Sequence, residues 1–295
     1  MLVASLWCAL GMGGAMPPGG QAVPPDPNAW TDHRPDLSRQ VVKRRNHRWP
    51  LSDQANRAGW APDRRFWDEF GGARLDPERW WDHNPTWKGR QPAAFLPSNV
   101  RVRDGQLHLT MRKEEPPEEL RKEGYHTYTS AAVQSKERVL YGYFEVRARA
   151  MKSHGSSAFW FYFNEPERWT EIDVFEIAGG KPEWDRRQFI TVHVMHTPED
   201  KKHRSVGSHF DAPFRLADDF HVYGLEWDEK ELRFFLDGAL VRSGPNTHWH
   251  QPLTINFDSE TMPDWFGLPL DKDLPSTYSI DYLRVWRKLD AGGRS

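Results

Sequence analysis

The stretch VRVRDGQLHLTM, from Val100 to Met111, decides the fold class. On either side of its Asp-Gly pair, apolar and polar residues alternate with a period of two, as they do in a half-buried β-strand. Asp104 and Gly105 both tolerate the positive φ that a two-residue hairpin turn requires. The stretch therefore predicts two antiparallel strands joined by a tight turn.

The same alternation recurs along the chain. It is seen in YGYFEVRARA (Tyr141 to Ala150), in a second Asp-Gly hairpin from Leu232 to Val241, and in YSIDYLRVW (Tyr278 to Trp286). The one candidate for a helix, Glu114 to Glu123, is charged all round and indicates a solvated loop or a short helix. Many short strands with few helices predict an all-β sandwich of two antiparallel sheets.

Composition restricts the classes of protein that remain. The 295 residues suit one large all-β domain, and we expect a monomer. A net charge of -2 and a pI of about 6.7 provide no general basic field for nucleic acid. Because Cys8 is the only cysteine, the domain can contain neither an internal disulfide nor a zinc site built from cysteines.

The chain ends have a different composition from the middle. Residues 1–16 are largely apolar with small residues near their end, which indicates a secretory signal, although no Lys or Arg precedes the apolar run. The proline-rich and charged residues 17–45 suggest a flexible linker, residues 46–290 the domain itself, and residues 291–295 a tail. We therefore expect a secreted or periplasmic protein without a membrane span.

The segment WTEIDVFEIAGG, from Trp169 to Gly180, carries three acids inside a β-forming run. In a regular strand, Glu171 and Asp173 would share one face, and Glu176 would point to the other. One extra residue in the strand would bring all three acids to one face, and such β-bulges are over-represented beside active sites. We therefore predict a bulge at Val174 or Phe175.

Crowded carboxyl groups of this kind suit the hydrolysis of glycosidic bonds. Retaining glycosidases hold two carboxyl groups about 5 to 5.5 Å apart and inverting ones about 6.5 to 9.5 Å, and a single strand favours the shorter gap. Neighbouring carboxylates cannot all ionise, so one pKa rises and supplies a general acid. From the residues alone, an exposed acidic face or a calcium site remains an alternative.

The flanking residues resemble glycoside hydrolase family 16, whose catalytic strand reads E-x-D-x-(x)-E. The resemblance covers Trp67 to Lys288 and implies a concanavalin-like β-jelly roll. By position, it implies that Glu171 is the nucleophile, Glu176 the general acid and then base, and Asp173 their electrostatic partner. The matching segments are WDEFGGARLDPERW (67–80), YTSAAVQSK (128–136), YGYFEVRARA (141–150), GSSAFWFY (155–162), FHVYGLEWDEKELRFFLDG (220–238) and IDYLRVWR (280–287).

The resemblance also bears on the substrate. The E-x-D-x-x-E spacing is similar to that of laminarinases and red-algal galactan hydrolases, and lichenases lack the extra residue. The loops Trp80 to Val100 and His248 to Pro269 resemble those of agarases, porphyranases and carrageenases. We therefore expect a retaining endo-hydrolase of agarose or porphyran. A laminarinase-type endo-β-1,3-glucanase, a transglycosylase and a non-catalytic carbohydrate-binding jelly roll are the alternatives.

A groove that binds several sugars beside the acids would need stacking aromatic rings and polar groups. Arg90 could bind a sulfate ester or a hydroxyl group. His193 alternates with apolar residues along its predicted strand, so we expect it to face the groove. The chemistry needs no cofactor or metal, and a structural calcium ion is left open. The candidate substrate-binding residues are Trp87, Arg90, Trp160, Trp169, His193 and Trp265.

Overall fold

A computed structural model describes residues 30–40, 42–199 and 201–289, and nearly all of its regular structure is β-strand. The strands are β1 (Thr31–Asp32), β2 (Trp60–Pro62), β3 (Trp80–Trp81), β4 (Ala93–Phe95), β5 (Val100–Arg103), β6 (Gln106–Lys113), β7 (Tyr128–Val139), β8 (Gly142–Arg149), β9 (Ser156–Asn164), β10 (Trp169–Ile177), β11 (Arg187–His196), β12 (Arg204–Asp211), β13 (His221–Trp227), β14 (Glu231–Leu236), β15 (Ala239–Pro245), β16 (Leu253–Glu260) and β17 (Ser276–Lys288). The helical elements are α1 (Glu118–Lys122) and the 3-10 turns Leu51–Asp53, Pro97–Asn99 and Asp271–Asp273. None of the described helices has the length and apolarity to cross a membrane.

The strands form two antiparallel sheets that pack face to face. The front sheet has the order β12-β11-β10-β9-β16-β7-β3. The back sheet has the order β1-β15-β14-β13-β8-β17-β6-β5, with β2 beside the end of β17. Pairing of β6 with β7 joins the two sheets at one edge. The predicted all-β sandwich is confirmed.

The hydrophobic core lies between the sheets. Phe144 of the back sheet and Phe161 of the front sheet are fully buried, and their ring centroids are 4.8 Å apart. Full burial of one such side chain is worth about 1.5 to 3 kcal/mol. On β17, Leu283 and Val285 enter this core, so the residues between and beside them point to the outer face of the back sheet.

Both predicted Asp-Gly hairpins are present. Asp104 and Gly105 join β5 to β6 with φ values of 53° and 71°, and Asp237 and Gly238 join β14 to β15 with 47° and 82°. These left-handed conformations are those that a two-residue turn with the twist of a hairpin demands. The charged stretch 114–123 contains α1, so of the two expected alternatives, a solvated loop and a short helix, the structure shows the short helix.

The N-terminal segment corrects one prediction. Of the residues 17–45 predicted to be a flexible linker, those from Trp30 onward pack on the back sheet. Strand β1 pairs with β15, and the ring of Trp30 lies so close to Gly244 that any side chain at position 244 would clash with it. Arg44 donates to the buried Glu145 and to the Tyr282 hydroxyl. The linker prediction is therefore wrong for residues 30–40 and 42–45, because a few aromatic and charged anchors outweigh the proline-rich composition.

Residues 1–29 and 290–295, including the predicted signal and tail, lie outside the described residues.

Candidate active site

Strand β10 contains the predicted bulge. Its register against β9 skips a residue between Asp173 and Phe175, and its register against β11 shifts between Asp173 and Glu176. Val174 and Phe175 are both fully buried in the core. The strand thus turns two successive apolar side chains inward, and this returns Glu176 to the face that carries Asp173.

The three acids of β10 all lie on the outer face of the front sheet. Their ladder partners on β9 belong to a small cluster that is separate from the main core. These partners of Glu171, Asp173 and Glu176 are Tyr162, Trp160 and Ala158, respectively. The structure therefore assembles on one surface the three carboxyl groups that the sequence singled out.

His193 lies on β11 directly opposite Glu171. Its Nε2 is 3.2 Å from Asp173 Oδ2 and 4.0 Å from Glu171 Oε1, and its Nδ1 is 3.0 Å from His203 Nε2. Burial lowers the pKa of His193, and the negative charge of Glu171 opposes that shift. His193 therefore faces the acids as its alternation predicted, and its contact with Asp173 links it to the carboxyl group between the two glutamates.

A second pair of acids completes the site, and sequence reasoning missed it. Asp258 and Glu260 on β16 are buried on the same outer face, across β9 from the acids of β10. The indole Nε1 of Trp160 donates to Asp258 Oδ2 at 2.6 Å. The signal was present in LTINFDSE (Leu253–Glu260), where two acids again interrupt a β-forming run.

Burial and crowding raise the pKa of each of these five carboxyl groups. Burial, followed by the charge of Asp173, raises the pKa of Glu171 to about 8. Burial and the charges of Asp173 and Glu260 raise the pKa of Glu176 well above its ordinary value. Arg90 favours the ionised form of both glutamates, but His193 does so for Glu171 alone, and three other acids raise the pKa of Glu176. Glu171 therefore loses its proton more readily than Glu176 does.

The raised pKa of Glu171 predicts a pH-dependent cost in stability. Between its unperturbed pKa of 4.5 and about 8, the folded state holds a proton that the unfolded state has released, so the free energy of unfolding falls as the pH rises. We expect Glu171→Gln to raise the unfolding free energy at pH 8 by about 1 kcal/mol or more, and to have little effect below pH 4.5. Urea denaturation at pH 4.5 and pH 8 measures both values, and a gain that does not grow with pH would contradict the shift.

Three of the predicted tryptophans gather beside the acids. Trp160 is buried and stacks on Tyr162 with ring centroids 4.6 Å apart, and Trp87 meets Trp160 edge-on at 6.2 Å. Trp169 is half-buried against the same cluster. A second register shift after Trp169 sets His196 opposite it, with the two rings in edge contact at 6.4 Å. These rings form one aromatic border of the acid face.

Trp265 lies in a different aromatic cluster. It is half-buried and packs on Phe189 with ring centroids 4.6 Å apart. Phe189 is the ladder partner of Glu176 on β11, so this second cluster borders the acids from the other side. The structure therefore does not bring Trp265 together with the other three tryptophans, and places aromatic rings on two sides of the carboxyl groups.

Arg90 is bound to the acid cluster. Its side chain is 30% exposed, and its Nε donates to Glu260 Oε2 at 2.9 Å. This contact and its charge oppose the effect of burial on the pKa of Glu260. A sulfate or hydroxyl group of a substrate would have to share the guanidinium with this carboxylate. The nearby Lys88 is exposed and pairs with Glu123 at 2.7 Å.

Glu171, Asp173 and His193 form the one group, within the described residues, that brings three potential metal ligands within 4.8 Å of one another. His193 lies within ion-pairing distance of both acids, at 3.2 Å from Asp173 and 4.0 Å from Glu171. An outer sheet face with crowded carboxyl groups of raised pKa and aromatic rings on two sides suits the binding and cleavage of a carbohydrate.

Comparison with known proteins identifies the family. The model of the GH16 domain of beta-porphyranases A–D matches residues 60–288, so this chain belongs to glycoside hydrolase family 16. Beta-porphyranase D of Zobellia galactanivorans is 31% identical over 268 residues, which are 78% of this chain and 61% of that protein. Beta-porphyranase B of the same organism is 29% identical over 76% of this chain and 83% of its own length.

The solved structures agree with the fold. The crystal structure of porphyranase B from Zobellia galactanivorans superposes with a TM-score of 0.69 at 26% identity, covering 78% of this chain and 94% of that one. The expected jelly roll is thereby confirmed. A glucan endo-1,3-beta-glucosidase of Niallia circulans is 23% identical over 75% of this chain and 37% of its own length, so glucanases are among the relatives as well.

Proposed function

We propose that the protein is a retaining endo-hydrolase of a sulfated or neutral red-algal galactan of the porphyran and agarose type. The observation that carries the proposal is the bulge in β10, which sets Glu171 and Glu176 on one face with Asp173 between them. Neighbouring carboxyl groups on a single strand favour the short separation that covalent catalysis needs. A non-catalytic sugar-binding domain would have no use for five crowded acids that destabilise one another.

In the proposed reaction, the ionised Glu171 attacks the anomeric carbon, and Glu176 donates its proton to the leaving glycosidic oxygen. The product of this step is a glycosyl ester on Glu171. Glu176, now ionised, takes a proton from a water molecule, which attacks the anomeric carbon and releases Glu171. The positive charge of Arg90, and that of His193 when it is protonated, favours the carboxylate form of Glu171 for the first step.

The galactan substrate is supported by the family match and by the names of the porphyranases at about 30% identity. The aromatic borders around Trp160 and around Trp265 lie on two sides of the acids, as expected if sugars bind on both sides of the cleaved bond. An enzyme must leave the cytoplasm to reach a polymer of this kind, which agrees with the secretory signal expected in residues 1–16.

Proton NMR of fresh digests tests the proposal. The protein is incubated with porphyran, agarose, κ-carrageenan, laminarin and lichenan, and the first reducing anomer is recorded before mutarotation. We expect cleavage of porphyran or agarose with the β configuration retained. An initially inverted product would contradict the double displacement, and activity confined to laminarin would overturn the galactan assignment while leaving the catalytic roles in place.

An endo-β-1,3-glucanase is the second candidate, and the relationship to the Niallia circulans glucosidase favours it. Glucans carry no sulfate. With a glucan as substrate, Arg90 would have no sulfate to bind and would balance the charge of Glu260. The laminarin sample of the same NMR series decides between the two substrates.

A further inference from the structure

A groove of about 590 Å³ lies on the outer face of the back sheet. Its lining includes His47, Arg48, Arg64 and Trp67, and we call it the back groove. Trp67 packs on the outward-facing Trp286 of β17 with ring centroids 5.0 Å apart. Since the acids of β10 lie on the outer face of the front sheet, the two features are on opposite sides of the sandwich.

Two guanidinium groups in the back groove have no carboxylate partner among the residues that the structure describes. Arg48 lies over the ring of Trp49 at 4.6 Å, and Arg64 over the ring of Trp67 at 4.4 Å. Both arginines are exposed. Stacking on an indole restrains the planar guanidinium while leaving its N–H edges free to bind an oxyanion.

The acids in the lining do not cancel these charges, because they are already paired. Glu69 receives two hydrogen bonds from Arg284, at 2.8 and 2.9 Å, and a third from Trp67 Nε1 at 2.6 Å. Asp68 lies 3.4 Å from Arg79, which also donates to backbone carbonyl groups. The charge left available to a ligand is therefore that of Arg48 and Arg64.

The excess of positive charge is a local property of this part of the chain. Residues 42–79 contain nine Lys and Arg against six Asp and Glu, whereas the whole chain contains 40 against 42. An anion would be attracted to this groove specifically, because the rest of a chain with net charge -2 provides no general field.

We propose that the back groove is a second, non-catalytic binding site for a sulfated polysaccharide chain. Two oriented guanidinium groups can each bind a sulfate ester through paired N–H donors, and successive sulfated sugars would engage both. Nucleic acid is the weaker fit, since the faces of Trp49 and Trp67 are covered by arginines and offer no surface for stacking bases. That the polymer is the galactan cleaved at the front sheet rests on the proposed function.

Affinity electrophoresis in native gels tests the back groove separately from catalysis. The Glu171→Gln chain is run with and without Arg48→Ala and Arg64→Ala, in gels that contain porphyran, κ-carrageenan, neutral agarose or single-stranded DNA. We expect the double change to weaken retardation by the two sulfated polymers at least about tenfold, because charge-assisted hydrogen bonds are lost. Agarose should retard both forms equally, and added salt should reduce the effect of the sulfated polymers.

The matched control removes two exposed cations elsewhere, Arg121→Ala and Lys272→Ala. Arg121 lies in α1 and Lys272 just before the start of β17, and neither lines the back groove, which lies beside the other end of β17. The control should be retarded like the parent, and equal loss in both double variants would mean that only net charge matters and would overturn the proposal. If the two changes reduce retardation more in the gel with DNA than in the gels with sulfated polymers, the proposal is also overturned, because the groove then prefers nucleic acid.

A hydrolysis measurement separates this proposal from the proposed function. In the otherwise unchanged chain, Arg48→Ala with Arg64→Ala should keep kcat/KM on a short porphyran oligosaccharide, which cannot reach from one face of the sandwich to the other. If porphyran is cleaved but the Glu171→Gln chain is retarded equally with and without Arg48→Ala and Arg64→Ala, the binding role of the back groove is refuted and the proposed function stands. Retardation that depends on the two arginines, without cleavage of any galactan, would support the groove and refute the proposed galactanase.

Discussion

Exchange of Glu171 or of Glu176 for glutamine is expected to abolish nearly all turnover while the protein stays folded. Loss of a general acid and base costs about 10²- to 10⁴-fold, and loss of a nucleophile at least as much. Glutamine keeps the size of the side chain but can neither attack the anomeric carbon nor donate a carboxylic proton. Reducing-end assays on porphyran and agarose with each purified variant measure the loss.

The control for this experiment is Glu229→Gln, which changes an exposed glutamate at a turn of the back sheet. It removes the same charge and should retain the parent activity. Circular dichroism should show unchanged strand content in all three variants, since Glu171 and Glu176 lie at the surface of the front sheet. Near-normal turnover by either folded active-site variant would refute the assigned roles.

Removal of Arg44 is expected to cause a large loss of stability. Arg44 donates to Glu145, whose side chain is fully buried on the outer face of the back sheet beneath the N-terminal segment. Glu145 also accepts from Tyr282 and from the backbone N–H of Leu51, so it holds this segment to the sheet. Arg44→Met would leave that carboxylate without its cation, and breaking one side of a buried pair costs about 3 to 5 kcal/mol.

Urea denaturation at neutral pH measures this change in unfolding free energy. The neighbouring Arg45 is exposed, and Arg45→Met serves as the matched control with an expected effect within about 0.5 kcal/mol. Equal stability of the two variants would mean that residues 42–45 do not contribute to the domain. The hydrolase activity should persist in both below their unfolding transitions, because this ion pair lies on the opposite side of the sandwich from the acids.

Local sequence was sufficient to predict much of strand β10. The bulge could be predicted because a strand with Glu171, Asp173 and Glu176 on one face must contain one extra residue, whatever surrounds it. The Asp-Gly hairpins could be predicted for a similar reason, since Asp104 and Gly105 occupy backbone conformations that few other pairs adopt. Both features depend on residues that are close together in the chain.

The N-terminal segment shows where this local reasoning ends. The prolines and charged residues within residues 17–45 indicate a linker. Their composition cannot indicate that Arg44 binds Glu145, which is about a hundred residues away in the chain. Burial of Trp30 on the sheet likewise depends on the absence of a side chain at Gly244. A segment without its own periodicity can be ordered entirely by such distant partners.

The period-two alternation and the spacing of the β10 acids establish the all-β class and the three candidate catalytic residues, because both follow from the geometry of one strand. The full acid cluster required the folded chain, since only the ladder β10-β9-β16 brings Asp258 and Glu260 beside Asp173. The same holds for the charge of Arg90, which Glu260 binds. Proton affinity depends on charges that are near in space, and their positions are a property of the tertiary structure and not of any single segment.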